Sequence, residues 1–129
     1  MGNRAVITTE DVNKKNKGKK LGIYLHWYGS QDTVETVLAE CKDKGIRTPQ
    51  TDYAYFWARF CQIFADMITI DTLEMEKEFK SERKSSAYET GIGIDVVSNL
   101  DCCNGDNGVY YIDDNLNIVK HTDGSELED

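Results

Sequence analysis

The chain of 129 residues contains 40% hydrophobic and 10% aromatic residues, and its net charge at neutral pH is −8. This composition excludes a disordered chain, and the length suffices for one hydrophobic core, so a single domain spanning residues 1–129 is predicted. No run of about 18 apolar residues is present, and residues 1–10 lack the apolar stretch of a secretory signal. We therefore expect a cytoplasmic protein without a membrane partner.

Charge is distributed unevenly along the chain. Residues 1–20 carry six basic and two acidic groups, whereas residues 89–129 carry one lysine and ten acidic groups. An acidic chain has no general phosphate-binding field, which argues against long nucleic acid as a partner. Two interpretations of residues 89–129 remain open: a solvated acidic surface, or a surface that imitates nucleic acid toward a nucleic-acid-binding protein.

Neither a metal site nor a catalytic motif is found in the sequence. Cys41 and Cys61 fall on apolar helix faces, and the adjacent pair at 102–103 lacks the C-x-x-C spacing of a zinc site. His26 and His121 belong to no Ser-His-Asp, G-x-S-x-G or H-E-x-x-H arrangement. We therefore predict reduced thiols, no metal, no cofactor and no enzymatic activity.

The first part of the chain is predicted to form two strands. "RAVITT" (4–9) is apolar and β-branched, and "LGIYLHWY" (21–28) alternates with the period of two that strands show. Between them, residues 10–20 are polar, rich in lysine and without periodicity. This segment is predicted to be a mobile basic hairpin loop.

Residues 29–45 carry the clearest helical pattern in the chain. One apolar stripe with helical spacing is formed by Val34, Val37, Leu38 and Cys41. Asp32 followed by Glu35 resembles a capping box, and Gly45 suits the left-handed position after a helix end.

A second helix is predicted over residues 51–67, with Thr51 or Asp52 as its cap. Its broad apolar face consists of Tyr53, Phe56, Trp57, Phe60, Cys61, Phe64 and Met67. The opposite stripe consists of Tyr55, Arg59, Gln62 and Asp66. Arg59 therefore has two interpretations: a solvated surface residue paired with Asp66 or Asp52, or the cation of a binding site.

The rest of the chain is predicted to contain three short strands. Residues 71–88 are dense in mixed charge and form either a marginal exposed helix or a charged excursion from the domain. Strands are predicted at 91–97, 109–112 and 116–119, with a turn-rich loop at 99–108. The acidic tail at 122–129 is expected to fray.

The order of these elements predicts the fold class. Two strands, two helices and three further strands are typical of an α+β fold. We expect an antiparallel sheet of about five strands with two helices packed on one face.

Several segments resemble a family of small proteins from prophages and mobile elements of Firmicutes. The matching segments are "NRAVITT", "GIYLHWYGSQDTVETVL", "YFWARFCQI", "GIGID" and "NGDNGVYYI", which together cover most of residues 3–119. Within that group the chain resembles the anti-Thoeris sponges. It departs from the relatives at Gln31, where they carry arginine, and this puts one phosphate-bearing ligand class in doubt.

The resemblance implies a phage-encoded anti-defence protein that acts in the cytoplasm of a bacterial host. Such a protein binds and sequesters a cyclic nucleotide immune signal of the cyclic ADP-ribose type, does not cleave it, and forms a homo-oligomer. The alternative from another class is an acidic protein-protein inhibitor of a CRISPR or other defence nuclease, using residues 89–129.

Residue chemistry is compatible with a cyclic nucleotide. Arg59 suits bidentate bonds to phosphate, and Tyr55 or Tyr28 suits stacking on adenine. The remaining candidate ligand-binding residues have amide or carboxylate groups for hydroxyls and polar ring atoms: Gln62, Asn104, Asp106 and Asn107.

Overall fold

The computed structural model describes residues 3–10, 20–79, 91–100 and 105–123 of the chain. Five strands and two long helices appear in the predicted order. Their bounds are β1 Ala5–Thr9, β2 Leu21–Leu25, α1 Gln31–Asp43, α2 Tyr53–Phe79, β3 Ile92–Val96, β4 Val109–Ile112 and β5 Ile118–Thr122. A short 3-10 helix, Val97–Leu100, follows β3. The α+β fold is confirmed.

The five strands form one mixed sheet in the order β3-β2-β1-β4-β5. Three neighbouring pairs are antiparallel, but β1 and β4 run parallel, with Ile7 opposite Tyr110. The expectation of a wholly antiparallel sheet was therefore wrong for the β1–β4 pair. Between β2 and β4 the chain passes through both helices and β3, and this long connection lets β4 return beside β1 in the same direction.

Both helices pack on one face of this sheet, as predicted. Alternate residues of the strands, such as Ala5 and Ile7, face the helices and are completely buried. The helix residues buried against them are Val34, Val37, Leu38, Cys41, Phe56, Trp57, Phe60, Ile63, Phe64 and Ile68. The predicted apolar faces of α1 and α2 are confirmed as the core.

A smaller apolar cluster lies on the other face of the sheet. Val6, Val109 and Tyr111 alternate with the residues of the main core and are covered by Leu100 of the 3-10 helix. Sequence periodicity did not predict this cover, because a four-residue helix leaves no repeating pattern.

The N-terminal end of α1 differs from the prediction, whereas its C-terminal end agrees with it. The helix begins at Gln31 with Ser30 as its N-cap, so Asp32 lies inside the first turn and the Asp32–Glu35 capping box was wrong. At the other end Gly45 has a φ of 65° and donates its N–H to the carbonyl oxygen of Lys42 at 3.0 Å. The left-handed glycine after the helix is confirmed.

Helix α2 begins where the sequence predicted and ends later. Asp52 is its cap, since its side chain accepts a hydrogen bond of 3.1 Å from the N–H of Tyr55. The helix continues to Phe79, so the helical alternative for the segment 71–88 is confirmed over residues 71–79, which belong to α2. No helix in the described part of the chain is long and apolar enough to cross a membrane.

Several predicted features lie outside the described residues or shift slightly. The described ranges leave out 11–19 of the basic loop, 80–88 of the excursion, 124–129 of the tail and Asn104. Strand β5 is two to three residues later than predicted, because the turn between β4 and β5 extends through Leu116, which has a φ of 61°.

Candidate functional site

The predicted polar stripe of α2 lies on the solvent side of the helix. Tyr55 is 48% exposed, and Arg59, Gln62 and Asp66 are also exposed. The Nη1 atom of Arg59 donates a hydrogen bond of 3.0 Å to Oε1 of Gln62. No carboxylate of the described residues forms an ion pair with Arg59. The proposed pairing with Asp66 or Asp52 was therefore wrong, and the charge of Arg59 has no carboxylate neutralising it there.

A second arginine joins this stripe from outside the helix. The guanidinium carbon of Arg47 lies 4.4 Å from the centroid of the Tyr55 ring, and that of Arg59 lies 5.2 Å from it. Both distances are those of cation–π contacts. We refer to Arg47, Tyr55, Arg59 and Gln62 as the arginine cluster. Arg47 was missed because it precedes the helix, and helical periodicity does not extend to it.

The turn before α2 places Arg47 beside the helix. The N–H of Asp52 donates to the carbonyl oxygen of Thr48 at 3.0 Å, which folds the chain back. Nη1 of Arg47 then reaches Oδ2 of Asp52 at 2.9 Å. The hydrogen bond from Tyr55 N–H, together with Arg47, lowers the pKa of Asp52. Of the two arginines, Arg47 is paired with a carboxylate and Arg59 with a neutral amide.

Tyr55 does not offer a free ring to a base in this arrangement. Two guanidinium groups already contact the ring and compete with a stacked adenine for its faces. The ring instead serves as a support that holds both cations on the same exposed surface. The arginine cluster is therefore suited to an anionic group more than to a base.

Tyr28 lies at a different place from the arginine cluster. It lines an open groove of about 430 Å³ between α1 and α2. We refer to this as the interhelical groove; its lining includes Tyr28, Asp32, Thr33, Thr36, Phe64 and Met67. Arg59 is not among the lining residues, since it lies on the opposite stripe of α2.

Asp106 and Asn107 lie in the loop before β4. Oδ2 of Asp106 accepts hydrogen bonds from the backbone N–H of Arg4 at 2.9 Å and from its Nε at 3.2 Å, and these bonds lower the pKa of the Asp106 carboxyl. Nδ2 of Asn107 donates to the carbonyl oxygen of Arg4 at 3.0 Å and also bonds Oδ1 of Asn3. Both side chains therefore fix the start of β1.

The sheet separates these residues from the arginine cluster. Residues 105–108 precede β4, whereas Gln50, in the turn before α2, donates its N–H to Asp114 in the turn after β4 at 2.8 Å. The beginning of α2 thus lies at one end of the sheet, and Asp106 and Asn107 lie at the other. The structure brings together Tyr55, Arg59 and Gln62, and it does not bring Asp106 or Asn107 to them.

Most of the described carboxylates in residues 89–129 accept hydrogen bonds from other groups of the same chain. Asp113 accepts hydrogen bonds from the N–H groups of Asn115 and Asn117, at 3.0 and 2.9 Å. Asp95 and Asp114 each accept a backbone N–H as well. These carboxylates fix turns and strand ends, so in the described part of the chain no array of acids with a single shared role is apparent.

The histidines and thiols have structural surroundings. Nδ1 of His26 is 2.7 Å from the hydroxyl of Tyr24, and the His121 ring stacks on Tyr110 with centroids 4.3 Å apart. Burial raises the pKa of Cys41 to about 12 and that of Cys61 to about 11. Within the described ranges, no group of three histidine, cysteine or acidic residues is arranged to hold a metal ion.

Comparison with known proteins adds no relative to this description. No family model, no curated protein and no solved structure matches the chain.

Proposed function

We propose that the protein binds and sequesters a cyclic nucleotide signal of the cyclic ADP-ribose type without cleaving it, and thereby acts as an anti-defence protein. The observation that carries this proposal is Arg59, an exposed guanidinium with no carboxylate partner among the described residues. The resemblance to phage-encoded sponges supplies the class of ligand, and the arginine cluster supplies a group that recognises its phosphates.

The geometry around Arg59 favours recognition of phosphate. Gln62 bonds one nitrogen of the guanidinium, and Tyr55 lies near it on the helix surface, so two contacts restrict its position. A guanidinium that is already oriented loses less side-chain entropy when it forms two parallel hydrogen bonds to phosphate oxygens. Arg47 adds a second cation 4.4 Å from the same ring.

Binding without cleavage is part of the proposal. The groups of the cluster are two guanidinium ions, a phenol and a neutral amide, and none of these is a general base at neutral pH. This composition supports a role in holding a phosphate.

The proposal includes a homo-oligomer. The arginine cluster lies on the exposed face of one helix and contacts a ligand from one side only, whereas small-molecule sites usually bury about 70–90% of the ligand. A second copy covering this face would supply the other side. Sedimentation velocity at micromolar concentration tests this; a single species of 14.7 kDa would show that the oligomer is wrong.

Calorimetric titration with cyclic ADP-ribose isomers tests the binding proposal. The parent protein should bind one isomer, and the ligand released by heating should be chemically unchanged. Arg59→Ala should weaken binding at least about tenfold, because charge-assisted bonds to phosphate are lost. Lys44→Ala is the matched control, since Lys44 is an exposed cation that pairs with Glu40 on α1. Equal binding by the parent and Arg59→Ala would refute the role of the cluster.

A further inference from the structure

The interhelical groove combines an apolar floor with polar groups from one helix. Phe64 and Met67 of α2 supply the apolar side, and Asp32, Thr33 and Thr36 of α1 supply the polar side. Its volume of about 430 Å³ lies within the usual range of small-molecule sites. The groove is therefore large enough for a ring system of one or two fused rings.

Tyr28 enters the groove from a strained backbone position. Its backbone φ of 67° lies in the left-handed region, which residues other than glycine rarely adopt. The neighbouring residue enforces this conformation: Gly29 donates its N–H to the carbonyl oxygen of Asn3 at 2.9 Å, and its own carbonyl accepts a bond from the Tyr110 hydroxyl at 2.8 Å. Strain that the surroundings enforce is concentrated at functional positions in proteins.

No side chain is accommodated at Gly29. A Cβ atom there would lie 2.4 Å from the carbonyl oxygen of Asn3, which is part of the backbone and has no freedom to move aside. The chain therefore turns sharply at one fixed point, and Tyr28 is the last side chain before that point. The backbone position from which the Tyr28 side chain reaches the groove is therefore fixed.

The polar groups of the groove act mainly as acceptors. The hydroxyl of Thr36 donates its proton to the carbonyl oxygen of Asp32 at 2.8 Å, which leaves its lone pairs to accept. Asp32 is the one charged residue among the described residues that line the groove, and an ionised carboxylate is also an acceptor. A phosphate is repelled there, whereas a ligand that donates N–H groups is favoured.

We propose that the interhelical groove is a second site, separate from the arginine cluster, for a flat, uncharged ring such as a nucleobase: its exocyclic amine donates to Asp32 and Thr36 while its face packs on Tyr28 and Met67. Arg59 lies on the opposite stripe of α2, so one ligand molecule does not contact both sites of the same chain. The choice of a nucleobase rests on the acceptors of the groove and on the nucleotide ligand of the proposed function.

Adenosine, which has the ring and lacks phosphate, is the probe that separates the two sites. Nuclear magnetic resonance titration should show binding to the parent, with shifts concentrated in the methyl signals of Val37, Met67 and Ile68. Thr36→Val removes the acceptor and keeps the shape, and it should weaken adenosine binding several-fold; Tyr28→Ala should weaken it about tenfold. Arg59→Ala should leave adenosine binding within about twofold of the parent.

The possible outcomes test binding in the groove separately from the proposed sequestration of a cyclic nucleotide. Absence of adenosine binding at millimolar concentration, or shifts located away from the groove, would overturn the inference whatever cyclic ADP-ribose does. Unchanged affinity in a folded Thr36→Val variant would overturn it as well. If adenosine binds in the groove and no cyclic ADP-ribose isomer binds, the groove is supported and the sequestration proposal fails.

Discussion

The guanidinium carbon of Arg59 lies 5.2 Å from the centroid of the Tyr55 ring, one helical turn earlier on the exposed face of α2. Arg59 also donates to Gln62 one turn later. Arg59 therefore contacts one side chain before it and one after it along the helix. Its guanidinium group lies on the exposed face, away from the apolar core. An arginine inside an aromatic-rich segment is explained by its position on the opposite stripe.

This relationship predicts a difference between two cations at position 59. Lysine keeps the charge of arginine but loses the planar fork that bonds two phosphate oxygens at once. Arg59→Lys should therefore weaken binding of a cyclic ADP-ribose isomer about tenfold while the free energy of unfolding changes by less than ~0.5 kcal/mol. Calorimetric titration and a denaturant melt measure the two quantities. Full affinity in the lysine variant would mean that charge alone is sufficient.

Phe60 is expected to be a main contributor to stability. Its side chain is completely buried, and its ring centroid is 5.8 Å from those of Trp57 and Phe64. Phe60→Ala should lower the free energy of unfolding by about 3–5 kcal/mol, as truncation of a large core aromatic does. Tyr55→Ala, at an exposed position of the same helix, is the control and should cost less. A loss below ~1 kcal/mol for Phe60→Ala would contradict the observed packing.

Two glycines with similar backbone angles should respond differently to alanine. Gly45 and Gly108 have φ values of 65° and 80°. A Cβ at Gly45 meets nothing within 4 Å, whereas one at Gly108 would lie 2.0 Å from the carbonyl oxygen of Thr122. Gly45→Ala should cost about 1–2 kcal/mol from the left-handed backbone alone. Gly108→Ala should cost clearly more in thermal melts, because β5 must move; equal costs would show that the β4–β5 ladder adapts freely.

Two carboxylates should make the protein less stable in acid. The pKa of Asp52 and that of Asp106 are both lowered from the ordinary value of 3.8, chiefly by hydrogen bonds from the backbone N–H groups of Tyr55 and Arg4. A lowered pKa in the folded state gives stability that is present above the unfolded value and is lost as pH falls through the folded value. Melting temperature should therefore decrease between about pH 5 and pH 2.

A double variant isolates this contribution. Asp52→Asn with Asp106→Asn keeps side chains that accept hydrogen bonds and removes their titration. The acid slope of the melting temperature should be shallower in this variant than in the parent. Identical slopes would assign the acid sensitivity to other groups.

The two described thiols should resist modification in the folded protein. Burial raises the pKa of Cys41 to about 12 and that of Cys61 to about 11, so almost no thiolate is present near neutral pH. In a variant with Cys102→Ser and Cys103→Ser, a disulfide reagent should react with neither thiol until denaturant is added. Rapid reaction of the native protein would show that the packing of α1 or α2 opens readily.

Helical periodicity predicted the core well, because one face of each helix is buried and the period of 3.6 residues records that burial. The buried residues of the expected side are Val34, Val37, Leu38 and Cys41 on α1, and Phe56, Trp57, Phe60 and Phe64 on α2. The exposed stripe of α2 follows from the same pattern. Imperfect apolar spacing after Met67 hid the continuation of the helix, although its glutamate, lysine, leucine and methionine residues favour helix on their own.

Features that depend on contacts between distant residues were not predictable. The direction of β4 beside β1 leaves no trace in the alternation of either strand. Arg47 reaches Tyr55 through a turn, and Tyr28 adopts its backbone angle because Gly29 is fixed by Asn3 and Tyr110. The arginine cluster and the interhelical groove therefore each contain a tyrosine that the sequence predicted, Tyr55 or Tyr28. The contacts of that tyrosine depend on the tertiary fold.

The parallel pairing of β1 with β4 has a consequence for synthesis of the chain. Val6 donates its N–H to Gly108 and Glu10 donates to Ile112, so the central strand acquires one of its two neighbours only from residues about a hundred positions later. Until the ribosome has released that segment, one edge of β1 has no β4 to pair with, and such open edges invite pairing with other chains. Completion of the sheet must therefore wait until residues 109–112 have left the ribosome, and pairing between such distant residues favours slow folding.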